Sequence, residues 1–286
     1  MAKIIDGRAL ARRLREDYRV RVAQLVDSGT KPGLAVVLVG ESAASIVYVN
    51  NKIKACREVG IESHLVRLPS SVSQKELIEQ IDALNNDDAV HGILVQLPLP
   101  PHIDIGPVLQ KISRDKDVDG FHLYNVGALA AGHPAFAPCT PQAVMAMLES
   151  EGIPIAGQNV VIVGASNIVG KPMALMMLQA GATISVCHAL TKDLGQYTLL
   201  ADILVVAAGH PNLIVPQMVK RGAVVIDVGI NRLADGSITG DVDFAGVREK
   251  ASHISPVPGG VGPMTVTMLI SNTLMSATNA ASLVVS

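Results

Sequence analysis

Tyr48 and Lys52 are four residues apart in Ser45 to Val59, a stretch that reads as a helix, so the two share one face. A lysine so placed can alter a neighbour's proton affinity. On an ordinary helix surface the same pair packs as a lysine stem beside a half-buried tyrosine. Gln96 closes the apolar run Gly92 to Leu97. Near the C-terminal end of a strand it would face the region where α/β sheets bind ligands, or it could bond to loop backbone as an edge residue. Lys116-Asp-Val-Asp-Gly-Phe-His122 offers two carboxylates, Asp117 and Asp119, without the further ligands that a metal site needs. One of them could accept two N–H bonds from a heterocycle, or the pair could cap a turn.

A second group lies further on. Val160 to Val163 is a β-branched run ended by Gly164, and Gly170 with Pro172 opens a helical stretch. A strand, a glycine turn and a helix N-terminus form a corner whose free N–H groups and helix dipole suit a phosphate. Ala165 stands where a second glycine would complete G-x-G-x-x-G, so that fingerprint is absent. The strand Thr183 to Cys187 leads into His188-Ala-Leu-Thr-Lys192. An NAD-selective fold usually has an acid there, about 20 residues past the turn, to hold the ribose hydroxyls. Here the first acid is Asp193; His188 and Lys192 would tolerate the extra phosphate of NADP. Asp227-Val-Gly-Ile230-Asn ends another strand, and Pro256-Val-Pro-Gly-Gly-Val-Gly262-Pro263-Met-Thr265 precedes the last helix. That density of Gly and Pro lets backbone approach a flat ligand closely, or makes a stiff hinge.

Regular elements must position these groups. A helix from Asp6 or Gly7 to Asp27, strands at Leu34–Val39 and Glu62–Leu68, and a helix from Ser73 with a Ser73/Glu76 capping box alternate through the first third. After a proline-rich stretch from Pro98 to Pro141, Gln142 to Glu151 reads as a helix. Strands recur near Asn159, Thr183–Cys187, Ile203–Ala207 and Val224–Val228, before a helix over 264–286. Strand–helix repeats predict α/β architecture with mainly parallel sheets. The expected division is an N-terminal α/β catalytic domain over residues 1–140, completed by helix 264–286. A Rossmann-like, doubly wound nucleotide domain over 141–263 follows, with a cleft between the two.

Composition narrows the function. The chain has 286 residues, 49% of them hydrophobic, and a formal net charge of −2. Bulk charge therefore does not attract nucleic acid or an anionic membrane. Apolar stretches are interrupted before spanning length. Cys56, Cys139 and Cys187 have no metal-ligand spacing and are odd in number, which fits free thiols in a reducing cytosol.

The sequence resembles the bifunctional methylenetetrahydrofolate dehydrogenase/methenyltetrahydrofolate cyclohydrolase family nearly end to end. The likeness rests on seven ordered motifs: Tyr48-Val-Asn-Asn-Lys52, Val95-Gln-Leu-Pro-Leu-Pro100, Lys116-Asp-Val-Asp-Gly-Phe-His122, Pro138-Cys-Thr-Pro141, Gly164-Ala-Ser-Asn-Ile-Val-Gly170, Asp227-Val-Gly-Ile-Asn231 and Pro256 to Thr265. The resemblance implies a cytoplasmic homodimer that uses NADP and tetrahydrofolate derivatives in one-carbon metabolism, including purine biosynthesis; no metal is expected, since the aspartate pair has no further ligands nearby. It places the active lysine on Lys52, with Tyr48 and Gln96 beside it, and the pterin-binding aspartate on Asp119. It places the phosphate turn on Gly164, Ala165 and Ser166, sets Ile230 against the cofactor, and borders the folate with Gly262 and Pro263. His188 and Lys192 lie where the NADP phosphate would reach. Many relatives carry Arg at the position of Ala165, and Arg or Ser at that of Ala189. The expected reaction moves a hydride from methylenetetrahydrofolate to NADP and then hydrolyses the methenyl product to 10-formyltetrahydrofolate. Alternatives are a two-domain dehydrogenase of another small substrate, or a folate- or nucleotide-binding protein without turnover.

Overall fold

The computed structural model describes residues 1–284. The chain begins with β1 (Lys3–Ile4), α1 (Gly7–Asp27), β2 (Gly33–Val39), α2 (Ala43–Val59), β3 (Glu62–Leu68), α3 (Gln74–Asn85) and β4 (Gly92–Val95). It continues with α4 (Ile105–Lys111), α5 (Leu123–Ala130), α6 (Cys139–Ser150), β5 (Asn159–Val163), α7 (Gly170–Gln179), β6 (Thr183–Cys187), α8 (Leu194–Thr198) and β7 (Ile203–Val206). Then come β8 (Val224–Asp227), β9 (Asn231–Arg232), β10 (Ile238–Thr239), α9 (Phe244–Arg248), β11 (His253–Ile254) and α10 (Val261–Val284). Residues 285 and 286, the end of the helix expected over 264–286, lie outside the described residues. No helix among the described residues is long and apolar enough to cross a membrane.

The α/β class read from the sequence holds, and the chain forms two compact units. One comprises Arg13–Cys139 with Val266–Ser286, the other Met1–Arg12 with Thr140–Thr265. The expected first domain began at residue 1. Instead the first twelve residues join the second unit, because β1 pairs in parallel with β11, Lys3 opposite His253 and Ile4 opposite Ile254. Two residues are too few to show a strand period, which is why the sequence concealed β1 and β11.

The first unit is built on a parallel three-stranded sheet, order β3-β2-β4. All seven residues of β2 are buried, as its unbroken apolar composition requires for a strand covered on both faces. Ala35, Val37, Ile93 and Val95 pack with Leu77 and Ile81 of α3 and with Val108 and Ile112. The expected capping box is present: Ser73 Oγ accepts from the Glu76 N–H (3.2 Å) and Glu76 Oε2 from the Ser73 N–H (2.9 Å). α2 begins two residues earlier than expected, because the Ser42 hydroxyl caps it, and it closes at Gly60 in the left-handed conformation. β4 stops at Val95, short of the expected Leu97. The Gln96 N–H still donates to the Val37 carbonyl (2.9 Å), but Pro98 has no N–H with which to extend the ladder.

The Ile93 N–H donates to the Lys116 carbonyl (2.8 Å), which brings the 116–119 segment beside β4. α10 fastens that segment from behind. Asn272 Nδ2 donates to the carbonyls of Val118 (2.8 Å) and Ala137 (3.1 Å), and Ser276 Oγ donates to those of His91 (2.6 Å) and Asp115 (2.8 Å).

The second unit holds a parallel six-stranded sheet, order β1-β11-β8-β7-β5-β6. β6 and β7 flank β5, so strand order reverses between β5 and β7, and the crevice at their carboxyl ends is where such sheets bind ligands. Val161, Val163, Leu204, Val206, Val225 and Ile254 belong to its core. Two helices start about one turn earlier than the sequence indicated, α6 at Cys139 and α10 at Val261. Pro141 and Pro263 then fall in first turns, where a missing N–H costs no helical bond.

Candidate active site

In the first unit α2 delivers Tyr48 and Lys52, the residue just beyond β4 is Gln96, and the segment beside β4 delivers Asp119. Lys52 Nζ donates to Gln96 Oε1 at 3.1 Å, partly buried. Gln96 Nε2 donates to the Leu97 carbonyl at 2.7 Å. The backbone-bonding reading of Gln96 holds: its amide nitrogen is anchored on loop backbone, and this turns its oxygen to the lysine. Tyr48 lies one helical turn before Lys52 and is 37% exposed.

The two aspartates separate cleanly. Asp117 is buried and accepts from the Phe121 N–H (3.2 Å), the His122 N–H (2.8 Å) and Asn125 Nδ2 (2.8 Å). It is the turn cap. Asp119 is half-buried, and burial pushes its carboxyl up to about 6 against the pull of the nearby Lys52 charge, with Asp117 adding to the rise. A carboxylate, an amine and a neutral amide oxygen thus meet in one place, a set that can hold N–H groups of a heterocycle and move a proton beside it.

Cys139 is buried at the same place, with its thiol donating to the Val118 carbonyl (3.3 Å). Burial and the Asp119 charge hold it well above the usual thiol range, so it is an inert wall. The sequence marks this cysteine as a free thiol and as part of the Pro138–Pro141 motif, and the structure shows it free and buried.

In the second unit, Gly164 follows β5 with φ +120°, and a Cβ there would run into the Ala207 carbonyl oxygen. A Cβ at Gly170 would run into the Gly164 carbonyl. Both glycines of the sequence corner are therefore sterically required, and they bring backbone close to any group in the turn. Ser166 Oγ accepts from the Val169 N–H (3.2 Å), and the start of α7 has no side-chain cap. A helix N-terminus without a cap beside a tight glycine turn fits a phosphate. Ala165 lies between Gly164 and Ser166 in this turn.

The loop after β6 is a self-bonded turn. The His188 N–H donates to Thr191 Oγ1 (2.8 Å), and His188 Nδ1 accepts from the Leu190 N–H (3.2 Å). Lys192 is exposed beside it. Asp193 is turned into the left-handed region and accepts from Gln196 Nε2 (2.9 Å). Ile230 is 47% exposed, and its Cδ1 is 4.0 Å from where a Cβ on Gly262 would lie. Ile230 therefore borders the first turn of α10, which contains Gly262 and Pro263. Among the described residues no three His, Cys, Asp or Glu side chains gather in a way that could hold a metal ion.

A buried carboxyl pair joins Asp227, which opens a motif quoted from the sequence, to Asp241, which the sequence does not single out. Asp227 and Asp241 are both buried, and each collects backbone N–H groups from loops at the carboxyl end of the sheet. Burial pushes Asp227 up to about 6, opposed by N–H bonds from Asp241, Val242 and Gly229. Asp241 stands in no periodic element, so spacing gave it no prominence.

Comparison with known proteins decides the family. Residues 5–119 match the model for the tetrahydrofolate dehydrogenase/cyclohydrolase catalytic domain, and residues 138–281 match that for the NAD(P)-binding domain of the same family. The chain belongs to the tetrahydrofolate dehydrogenase/cyclohydrolase family. The bifunctional protein FolD of Cupriavidus pinatubonensis is 59% identical over 98% of this chain and 99% of its own. The crystal structure of FolD, a bifunctional methylenetetrahydrofolate dehydrogenase/cyclohydrolase from Campylobacter jejuni, superposes with a TM-score of 0.96 at 52% identity, covering 98% of this chain and 99% of that one. A Trypanosoma brucei FolD complexed with NADP and an inhibitor gives 0.94 at 41% identity, covering 97% and 98%. The family thus matches both units, the one with Lys52 and the one with the glycine turn.

Proposed function

We propose that this chain oxidises 5,10-methylenetetrahydrofolate with NADP and hydrolyses the methenyl product to 10-formyltetrahydrofolate. The observation that carries this is the Lys52–Gln96 hydrogen bond beside Asp119, in a chain that belongs to the tetrahydrofolate dehydrogenase/cyclohydrolase family. The unit bearing Lys52 is the folate-binding catalytic domain, including the part of α10 that stitches it. The six-stranded unit is the NADP domain.

Asp119 accepts N–H groups of the pterin, Tyr48 offers its ring and hydroxyl to the folate, and Gly262 with Pro263 border it. When bound, NADP supplies the acceptor for the hydride that leaves the methylene carbon. The cation left behind is stabilised by the folate's own two nitrogens, so in this step the protein chiefly aligns its ligands. Hydrolysis asks more of side chains. Water adds to the methenyl carbon and loses a proton. The hydroxyl so formed then gives up its own proton as it becomes the formyl oxygen. The carbon's bond to one ring nitrogen breaks and that nitrogen gains a proton, so that one proton is released overall. Lys52 is the group placed to carry the proton. Gln96 orients the amine through an uncharged oxygen, which accepts from it without adding a fixed negative charge to the site.

Gly164, Ala165 and Ser166 hold the diphosphate of NADP, and Ile230 lies against the cofactor. With alanine at 165 and 189, the extra phosphate falls to His188, Lys192, Ser166 and backbone, giving NADP preference with moderate affinity. The proposed assembly is a cytoplasmic homodimer, and light scattering of the purified chain is the test of the dimer. The activity test is direct: methylenetetrahydrofolate and NADP are mixed with the protein, and reduced nicotinamide and 10-formyltetrahydrofolate are followed together. Binding of both ligands without either product would favour a non-catalytic role.

A further inference from the structure

In the six-stranded unit the loop leaving β7 lies against the glycine turn. The Ala207 N–H donates to the Val163 carbonyl (2.7 Å), and the Ala207 carbonyl occupies the space that a Cβ on Gly164 would need. The next two amides, of Ala208 and Gly209, point at one side chain 33 and 32 residues away. Asp241 Oδ2 accepts from both, at 2.7 and 2.8 Å. Its other oxygen, Oδ1, accepts from Asn231 Nδ2 at 2.7 Å, and Asn231 directly follows Ile230. The Asp241 backbone is itself pinned, its N–H to Asp227 Oδ1 (3.0 Å) and its carbonyl to the Ile214 N–H (3.0 Å). Asp241 has no exposed surface, and among the described residues no Lys or Arg is paired with it.

A buried carboxylate satisfied only by neutral donors fixes those donors tightly, because each would be costly to leave unpaired. The donors here are the backbone after β7, at the strand-order switch, and the side chain next to Ile230. We propose that Asp241 is a positioning residue for nucleotide binding: it sets the loop after β7 and the Asn231–Ile230 segment in place before the nucleotide arrives. This rests on the reading that the six-stranded unit binds NADP.

The test uses the full chain and its two activities, since hydrolysis of methenyltetrahydrofolate can be measured without nucleotide. Asp241→Ala raises the KM for NADP by about tenfold to hundredfold through a misplaced loop, while the hydrolysis rate stays within about twofold. Asp241→Asn restores the NADP KM to within about threefold, because its oxygen still accepts from Ala208 and Gly209 and the Asn231 amide can turn over to accept from the new amide nitrogen. An NADP KM unchanged in Asp241→Ala, or both activities falling together, overturns the positioning role. If Asp241→Ala does not fold, amide exchange of the unmodified, nucleotide-free chain decides. Ala208 and Gly209 amides protected like those of β7 support the proposal, and fast exchange there overturns it. A chain that binds no NADP at all overturns the nucleotide reading itself, whereas intact NADP binding with an indifferent Asp241→Ala overturns only the positioning role.

Discussion

Lys52 Nζ and Gln96 Oε1 lie 3.1 Å apart although 44 residues separate them in the chain. One comes from a helix and the other from the residue just beyond a strand, so only the fold creates the pair. Its distinctive property is that the acceptor is neutral. Gln96→Glu keeps the size and places a full negative charge against the amine, which favours the ammonium form. The expected result is a hydrolysis rate reduced by about tenfold or more, since the proton carrier is held charged. The NADP KM stays unchanged in steady-state assays. An undiminished rate would remove the charge argument for glutamine.

Asp119→Ala is expected to raise the KM for the folate by about tenfold to hundredfold, the loss of hydrogen bonds to a charged acceptor. The hydrolysis kcat should fall less. Initial rates over a range of methenyltetrahydrofolate check this, and an unchanged KM would mean that Asp119, like Asp117, only shapes its turn.

Burial raises the folded Asp119 carboxyl from its ordinary value of 3.8 to about 6. The folded chain holds this proton more tightly than the unfolded chain does. The associated stability is therefore complete below 3.8 and lost as pH rises through about 6. Asp119→Asn removes that loss, so its melting temperature should exceed the parent's at neutral pH, with the gain vanishing toward about pH 4. The protonated carboxyl is also a poorer acceptor, so the parent's folate KM should climb as pH falls through about 6. A pH-independent difference in melting temperature would contradict the shift.

Lys192 is exposed beside the turn formed by His188 and Thr191. Lys192→Glu should raise the KM for NADP by about fivefold, in the range of one exposed charge pair, and should leave the KM for NAD nearly unchanged. Added salt should shrink the effect. Equal changes for both nucleotides would assign the phosphate to Ser166 and backbone instead.

Much of this was legible in the sequence because it is carried by local patterns. The β-branched run before Gly164, the Ser73/Glu76 capping box and the four-residue step from Tyr48 to Lys52 each declare themselves within a dozen residues. Long-range pairings were not legible. β1 joins β11 across nearly the whole chain, and two residues give no period to read. Residue types alone left Asp117 and Asp119 interchangeable and only the family resemblance chose Asp119; the folded turn shows that the Phe121 and His122 amides and Asn125 take Asp117. Asp241 was hidden because two of its three side-chain bonds come from backbone amides that any residue type supplies, and the third from an asparagine ten residues away.

The central claim is that Lys52 carries the proton in hydrolysis, and Lys52→Met tests it most directly. Methionine keeps the length and apolar stem of the side chain while removing the amine that bonds to Gln96. The measurement is the rate of conversion of methenyltetrahydrofolate to 10-formyltetrahydrofolate by the folded variant, with dehydrogenase activity followed alongside. The expected result is loss of hydrolysis, with dehydrogenase activity weakened or abolished. Hydrolysis at a rate near the parent's would contradict the assignment of Lys52.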